Sequence, residues 1–223
     1  MDEVRTQIVD ALLALLAERS FETIGLDAIA AKAGVTLGAV RAQYDGKLAI
    51  LADFVRRTDR TVLDAEGGAV EGDTARERLF ELVMRRLDTI EPHKAALASL
   101  ERSARRQPAL ALCLNDLART SARFTLAAAG IPAEGLRGAA RVQGLVLLGL
   151  RVLAVWKDDT DPDLSKTMSA LDHELDRAEA IERRLDRVVG GACRIARRFE
   201  RRRAHPAPEP RPAPEEAAEA SVG

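Results

Sequence analysis

The sequence predicts an all-α protein, with a small three-helix N-terminal head containing a helix-turn-helix and a larger helical body behind it. Three observations lead there. Apolar residues recur at helical spacing, and no segment shows the two-residue alternation of a half-buried strand. Aromatic residues are only 3% of the chain while Ala and Leu abound, a composition that favours helix over sheet. The tetrapeptide Ala33-Gly34-Val35-Thr36 has the makings of a tight turn between two short helices.

In the head, Ile8, Ala11, Leu12, Leu15 and Leu16 give a first helix one apolar face, and the helix should end near Ser20 with Phe21 packing back on it. Gly25 precedes a second helix carrying Leu26, Ile29, Ala30 and Ala33, with Asp27 in the first turn where the helix dipole favours an anion. Gly34 can adopt a positive φ and close that helix. Val35 plugs the angle, and Thr36 is a good N-cap for a third helix over about 36–43. Gly38, Val40 and Tyr44 continue it, Gly38 allowing close helix approach. Asp45-Gly46 breaks it, and Lys47 opens a helix through Ile50, Leu51 and Phe54.

In the body, glycines at 67, 68 and 72 mark a break, after which Thr74-x-x-Glu77 is a capping box. Pro92, Pro108 and Pro132 each sit where an N1 proline would open a helix, predicting helices over roughly 92–106, 108–129 and 132–156. Asp161-Pro162 starts another, with Leu164, Met168, Leu171 and Leu175, extending past Ile181. From Ala204 the alternation of Ala and Pro predicts a disordered tail. The domain reading is a head over 1–60, a body over 61–182, a basic amphipathic segment over 183–203 and the tail over 204–223.

Residues 5–55 resemble the TetR family of bacterial transcriptional regulators. The resemblance runs through Ile8-Val9-Asp10-Ala11, Glu18-Arg19-Ser20-Phe21-Glu22, Ile29-Ala30-x-x-Ala33-Gly34-Val35-Thr36-x-Gly38-Ala39-Val40 and Tyr44-Asp45-Gly46-Lys47. It implies a DNA-binding head, a ligand-sensing body and a homodimer, hence a repressor released from a near-palindromic operator by a small effector. A shorter stretch, Leu150–Asp172, with Trp156-Lys157-Asp158-Asp159-Thr160 and Asp163-Leu164-Ser165-Lys166-Thr167, is similar to lipid-binding accessory proteins of ubiquinone biosynthesis. These share the fold, and they supply the alternative of a lipid-binding accessory protein at a membrane surface.

For duplex DNA, the third helix would be the recognition helix. Arg41 and Gln43 can read guanine and adenine edges. Thr36 can donate to a phosphate, as the resemblance implies for Lys47 also. With Leu37 and Tyr44 these form the expected DNA-contacting set. The sequence departs from the family where Leu37 replaces Lys, Arg41 replaces Tyr, Ala42 replaces His or Arg, and Gly25 replaces Ser or Thr. By the resemblance, an apolar effector pocket would draw on Met84, Leu87, Leu97, Leu100, Leu114, Leu117 and Phe124. The dimer seam would be Val142, Leu145, Val146, Gly149, Leu153 and Trp156, with Gly144 and Gly149 allowing close approach.

Other chemistries find little support. Asp159-x-Asp161-x-Asp163 opens like a calcium loop, but Leu164 and Ala170 stand where the loop needs Gly and Glu, so these acids fit a helix N-terminus better. His93, His173 and His205 lack ligand spacing, and no metal is expected. No nucleophile motif, phosphate loop or cofactor signature occurs, so neither an enzyme nor a cofactor is expected. Cys113 and Cys193 lack a disulfide or C-x-x-C pattern, and the acidic start Met1-Asp2-Glu3 is unlike a signal peptide. The apolar stretch 139–156 carries Arg141, Gln143 and Arg151, leaving an uncharged part too short to span a bilayer. A cytoplasmic protein is the expectation.

The 34 Lys/Arg and 35 Asp/Glu nearly cancel, but they are not evenly spread. Residues 1–60 hold eight Lys/Arg against nine Asp/Glu, and residues 61–182 hold sixteen against twenty. Residues 183–203 hold nine Arg against two acids, a basic amphipathic stretch able to touch an anionic membrane. The concentrated positive charge therefore lies outside the helix-turn-helix.

Overall fold

Nine α-helices follow one another among the residues that the computed structural model describes, 2–65 and 70–203, with side chains described over 3–65 and 70–184. The head contains α1 (Asp2–Glu18), α2 (Leu26–Ala33), α3 (Leu37–Gln43) and the start of α4 (Lys47–Asp64). The body adds α5 (Ala75–Ile90), α6 (Lys94–Arg106), α7 (Pro108–Ala128), α8 (Gly135–Asp158) and α9 (Ser165–Arg203). No strand occurs among the described residues. Residues Met1–Ala178 form one compact unit and Glu179–Gly223 another. The Ala/Pro tail, His205 and the glycines at 67 and 68 lie outside the described residues, as do the side chains of the basic stretch beyond Arg184, Cys193 included.

Helix ends follow local chemistry. Gly34 adopts φ +69° and closes α2, with its N–H and that of Val35 donating to Ala31 and Ala30. Thr74 and Glu77 form the full capping box of α5. Pro108 sits at the first turn of α7 as expected, and Pro92 lies in a 3-10 turn, Glu91–His93, before α6. Pro132 departs from expectation: it lies in the α7–α8 loop, and α8 starts three residues later at Gly135. Asp161-Pro162 likewise belongs to a turn, and α9 starts at Ser165. The helix runs unbroken to Arg203, across Gly190 and Gly191.

Two apolar clusters hold the main unit. The first joins α1–α4 to Ala96, Leu100 and Leu110 of the body, with Ile8, Leu12, Leu16, Ile29 and Ile50 almost wholly buried. The second fills the body with Leu82, Leu87, Leu126, Val142, Trp156 and Leu171. Head and body are therefore sealed along α1 and α6. Two serines add polar ties, Ser103 Oγ accepting from the Phe21 N–H at 3.1 Å and Ser99 Oγ donating to the Arg19 carbonyl at 2.9 Å. The expected division at residue 60 falls inside α4. That helix carries a buried carboxylate toward each side: Asp53 toward the head, and Asp59 toward Arg86 of α5 and Ser121 of α7.

The acidic corner before α9 is a capping device. The buried Asp159 carboxylate accepts from the N–H and hydroxyl of Thr167 at 3.0 and 2.7 Å and from the Asp161 N–H at 3.2 Å. The Thr167 hydroxyl leads in holding it below the usual carboxylate range. No metal-ligand cluster is found among the described residues.

Candidate nucleic-acid interface

The head positions α3 by burying one side of it. Val40 is 1% exposed, and Tyr44, at the C-cap, is 6% exposed. Thr36 Oγ1 accepts from the Ala39 N–H at 3.1 Å and so fixes the start of the helix. The outward-facing positions of α3 are Leu37, Gly38, Arg41 and Ala42, all exposed, with Leu37 53% exposed. Gln43 lies on the flank and is half-buried. No helix approaches Gly38, whose added Cβ would meet only the Thr36 hydroxyl oxygen at 3.8 Å, so its expected role in helix packing is not realised.

Arg41 is exposed and its Nη1 donates to Asp45 at 2.6 Å, one turn on. That bond leaves Nε and Nη2 free of Asp45, a forked pair able to face a base or phosphate. Tyr44 and Lys47 sit differently from the outward set with which the sequence reading grouped them. The Tyr44 hydroxyl donates to Asp53 at 2.5 Å beneath the surface. Lys47 Nζ donates to the Phe21 and Ile24 carbonyls at 2.7 and 2.6 Å and lies 4.4 Å from the centre of the Phe21 ring. Burial pulls its pKa below the ordinary lysine value, with Glu22 opposing.

Asp53 gathers the head's cations. Arg56 and Arg57 pair with it at 2.7 and 3.2 Å, and Arg5 at 3.4 Å. Burial works against ionisation, but the hydrogen bonds from Tyr44 and Arg56 and the charges of Arg57 and Arg5 prevail and hold its pKa at about 2. Lys32 faces Glu18 at 3.9 Å. Arg5, Arg56, Arg57 and Lys47, four of the eight Lys/Arg in residues 1–60, are thus tied to the fold, and the outward side of α3 carries one arginine among small and apolar groups.

The seven residues expected around an effector divide between the two apolar clusters and the surface. Leu87 is in the body cluster, with Met84 and Leu97 packed against it. Leu100 is in the head cluster, with Leu114 and Leu117 packed there. Phe124 is 57% exposed on α7. Two open grooves are present, of about 640 Å³ beside Arg151, Ser169 and His173 and about 480 Å³ beside Arg123, Ile131 and Pro132, and neither is lined by these seven.

Three of the six residues expected at a dimer seam lie inside the chain. Val142, Val146 and Trp156 are buried in the chain's own body, and Leu145 and Leu153 pack against the same cluster. Gly149 is half-buried, with open space where a Cβ would stand. The apolar groups left outside on α8 are Leu136, Leu147 and Leu150, at 90, 45 and 53% exposure, on a side that also exposes Ala140, Gly144 and Ala154. By length and composition α8 could cross a membrane, although Val142, Val152 and Trp156 bury part of it inside the protein.

Solved structures resemble the whole arrangement. A TetR transcriptional regulator from Nitrosomonas europaea superposes with TM-score 0.62 at 23% identity, over 78% of this chain and 97% of that one. One from a Rhodococcus species gives 0.55 at 18%, over 78% and 96%. A TetR-family regulator from Streptomyces coelicolor gives 0.54 at 19%, over 85% and 89%. No family model and no curated protein matches the sequence. The helix-turn-helix, the order of the helices and these superpositions together establish that the chain has the fold of the TetR-type transcriptional regulators.

Proposed function

We propose that this chain is a TetR-like transcriptional regulator that binds duplex DNA through the outward side of α3 as a homodimer. The observation that carries the reading is the solvent-facing set Leu37, Gly38, Arg41 and Ala42 on the second helix of a helix-turn-helix, with Thr36 at its start. Thr36, Leu37, Arg41 and Gln43 are the contacts we assign, and Tyr44 and Lys47 support them from beneath. A second copy would cover Leu136, Leu147 and Leu150. The two recognition helices would then meet half-sites about one DNA turn apart, on a near-palindrome. A protein of this kind acts in the cytoplasm and carries out no catalysis. We further infer a repressor, released when a small apolar effector enters the body beside Met84, Leu87 and Leu97, where Met84 can repack. A thermal-shift screen tests this: neutral apolar compounds should raise the Tm, and a response to anionic metabolites alone would contradict it.

The low supply of uncommitted cations on the head favours one alternative, a lipid-binding accessory protein touching membranes through 183–203. Mobility-shift and liposome-flotation assays separate the two. Specific DNA retardation lost in Arg41→Ala supports the regulator. Flotation lost on deleting 183–203, with no DNA retardation, supports the alternative.

A further inference from the structure

The outward side of α3 offers one forked donor, Arg41, and otherwise only carbon: Leu37 one turn before it, and Gly38 and Ala42 beside it. Leu37 is 53% exposed and belongs to neither apolar cluster of the fold. Gly38 shares that side. Glycine weakens a helix relative to alanine, and no neighbour here excludes a Cβ, so packing within the chain does not account for it. A bare backbone beside an exposed leucine suits a surface that must come close to another.

We propose that Leu37 is a specificity-determining residue that reads a thymine methyl in the major groove. The inference rests on the regulator reading above. Major-groove edges present hydrogen-bonding groups, which Arg41 can match at guanine, and one apolar group, the thymine C5 methyl, which an aliphatic side chain matches. Leu37 and Arg41 are four residues apart, about 6 Å along the helix axis. With base pairs spaced about 3.4 Å apart, the thymine stands one to two base pairs from the guanine. Phosphate contacts carry no sequence information directly, so discrimination among duplexes rests on these base contacts.

The test selects duplexes from a randomised pool with the full-length protein, then remakes the winning duplex with deoxyuridine in place of thymine. The expected half-site contains guanine with thymine one to two base pairs away. Removing that single methyl should weaken binding about fourfold per half-site, the effect of losing one buried methyl. In Leu37→Ala, and independently in Leu37→Lys, the same replacement should change binding less than about twofold. A selected duplex indifferent to deoxyuridine would overturn the inference and leave the regulator reading intact. Equal sensitivity in wild type and both variants would remove Leu37 from the role. A pool with no enrichment would overturn the regulator reading itself.

Discussion

Tyr44, at the C-terminal end of α3, donates its hydroxyl to Asp53 of α4 at 2.5 Å, and three arginines from α1 and α4 converge on the same carboxylate. The orientation of α3 is thereby tied to α4, the helix that also reaches the body through Asp59. Removing the hydroxyl in Tyr44→Phe leaves the ring in place but costs a bond to a charged acceptor. Denaturant unfolding at neutral pH should show a loss of about 1.5–3 kcal/mol. An unchanged midpoint would mean that the bond contributes nothing to holding the head.

The same carboxylate sets a pH dependence. Its folded pKa, about 2, lies below its ordinary value of 3.8. Ionised Asp53 therefore adds stability that is complete above about pH 4 and vanishes as the pH falls toward 2, amounting to about 2 kcal/mol. Asp53→Asn removes this component and strands three arginines. The stability gap between wild type and variant should be wide at pH 7 and narrow on acidification. A constant gap from pH 7 to pH 3 would contradict the assignment.

Lys47 bonds two carbonyls, so Lys47→Met should destabilise the head by roughly 1.5–3 kcal/mol for each bond to the charged group that has no replacement. Its effect on DNA should be nearly independent of salt. A lysine that neutralises a phosphate contributes about 0.9 to the slope of log affinity against log salt. A slope reduced by that amount in Lys47→Met would place the ammonium on the DNA instead.

On α8, Leu147→Glu and Leu150→Glu alter exposed positions, so the folded chain should survive while the dimer is lost. Light scattering should then give the mass of one chain, 24.2 kDa for the wild-type sequence. Val142→Glu should instead unfold the body, because a charge would enter an apolar cluster without a partner. A dimer that persists in both leucine variants would place the interface elsewhere.

These results show which features were legible in the sequence. Gly34, Thr36 and the Thr74–Glu77 box act within one turn of chain, and each stands where its chemistry put it. Pro132 predicts a helix start, but proline is equally at home in the loop that precedes one, where it lies. α8 is hard to read for a different reason. Apolar groups occur on two of its sides, and periodicity cannot say whether Val142 or Leu147 faces the chain's own core. Phe124, a large apolar side chain expected inside, lies outside, between Arg123 and Thr125 on α7. Lys47 and Tyr44 have surface-compatible side chains, and only the fold reveals Asp53 and the two carbonyls beneath them.

The most direct test of the account is a mobility-shift titration of the full-length chain on DNA flanking its own coding sequence, run from about 50 to 200 mM salt. The account expects a discrete complex that outlasts a scrambled duplex, is lost in Arg41→Ala and depends only weakly on salt, since half of the head's eight Lys/Arg are tied to Asp53 or to backbone carbonyls. No complex at the lowest salt, or one that Arg41→Ala leaves unchanged, would contradict the claim that α3 reads DNA.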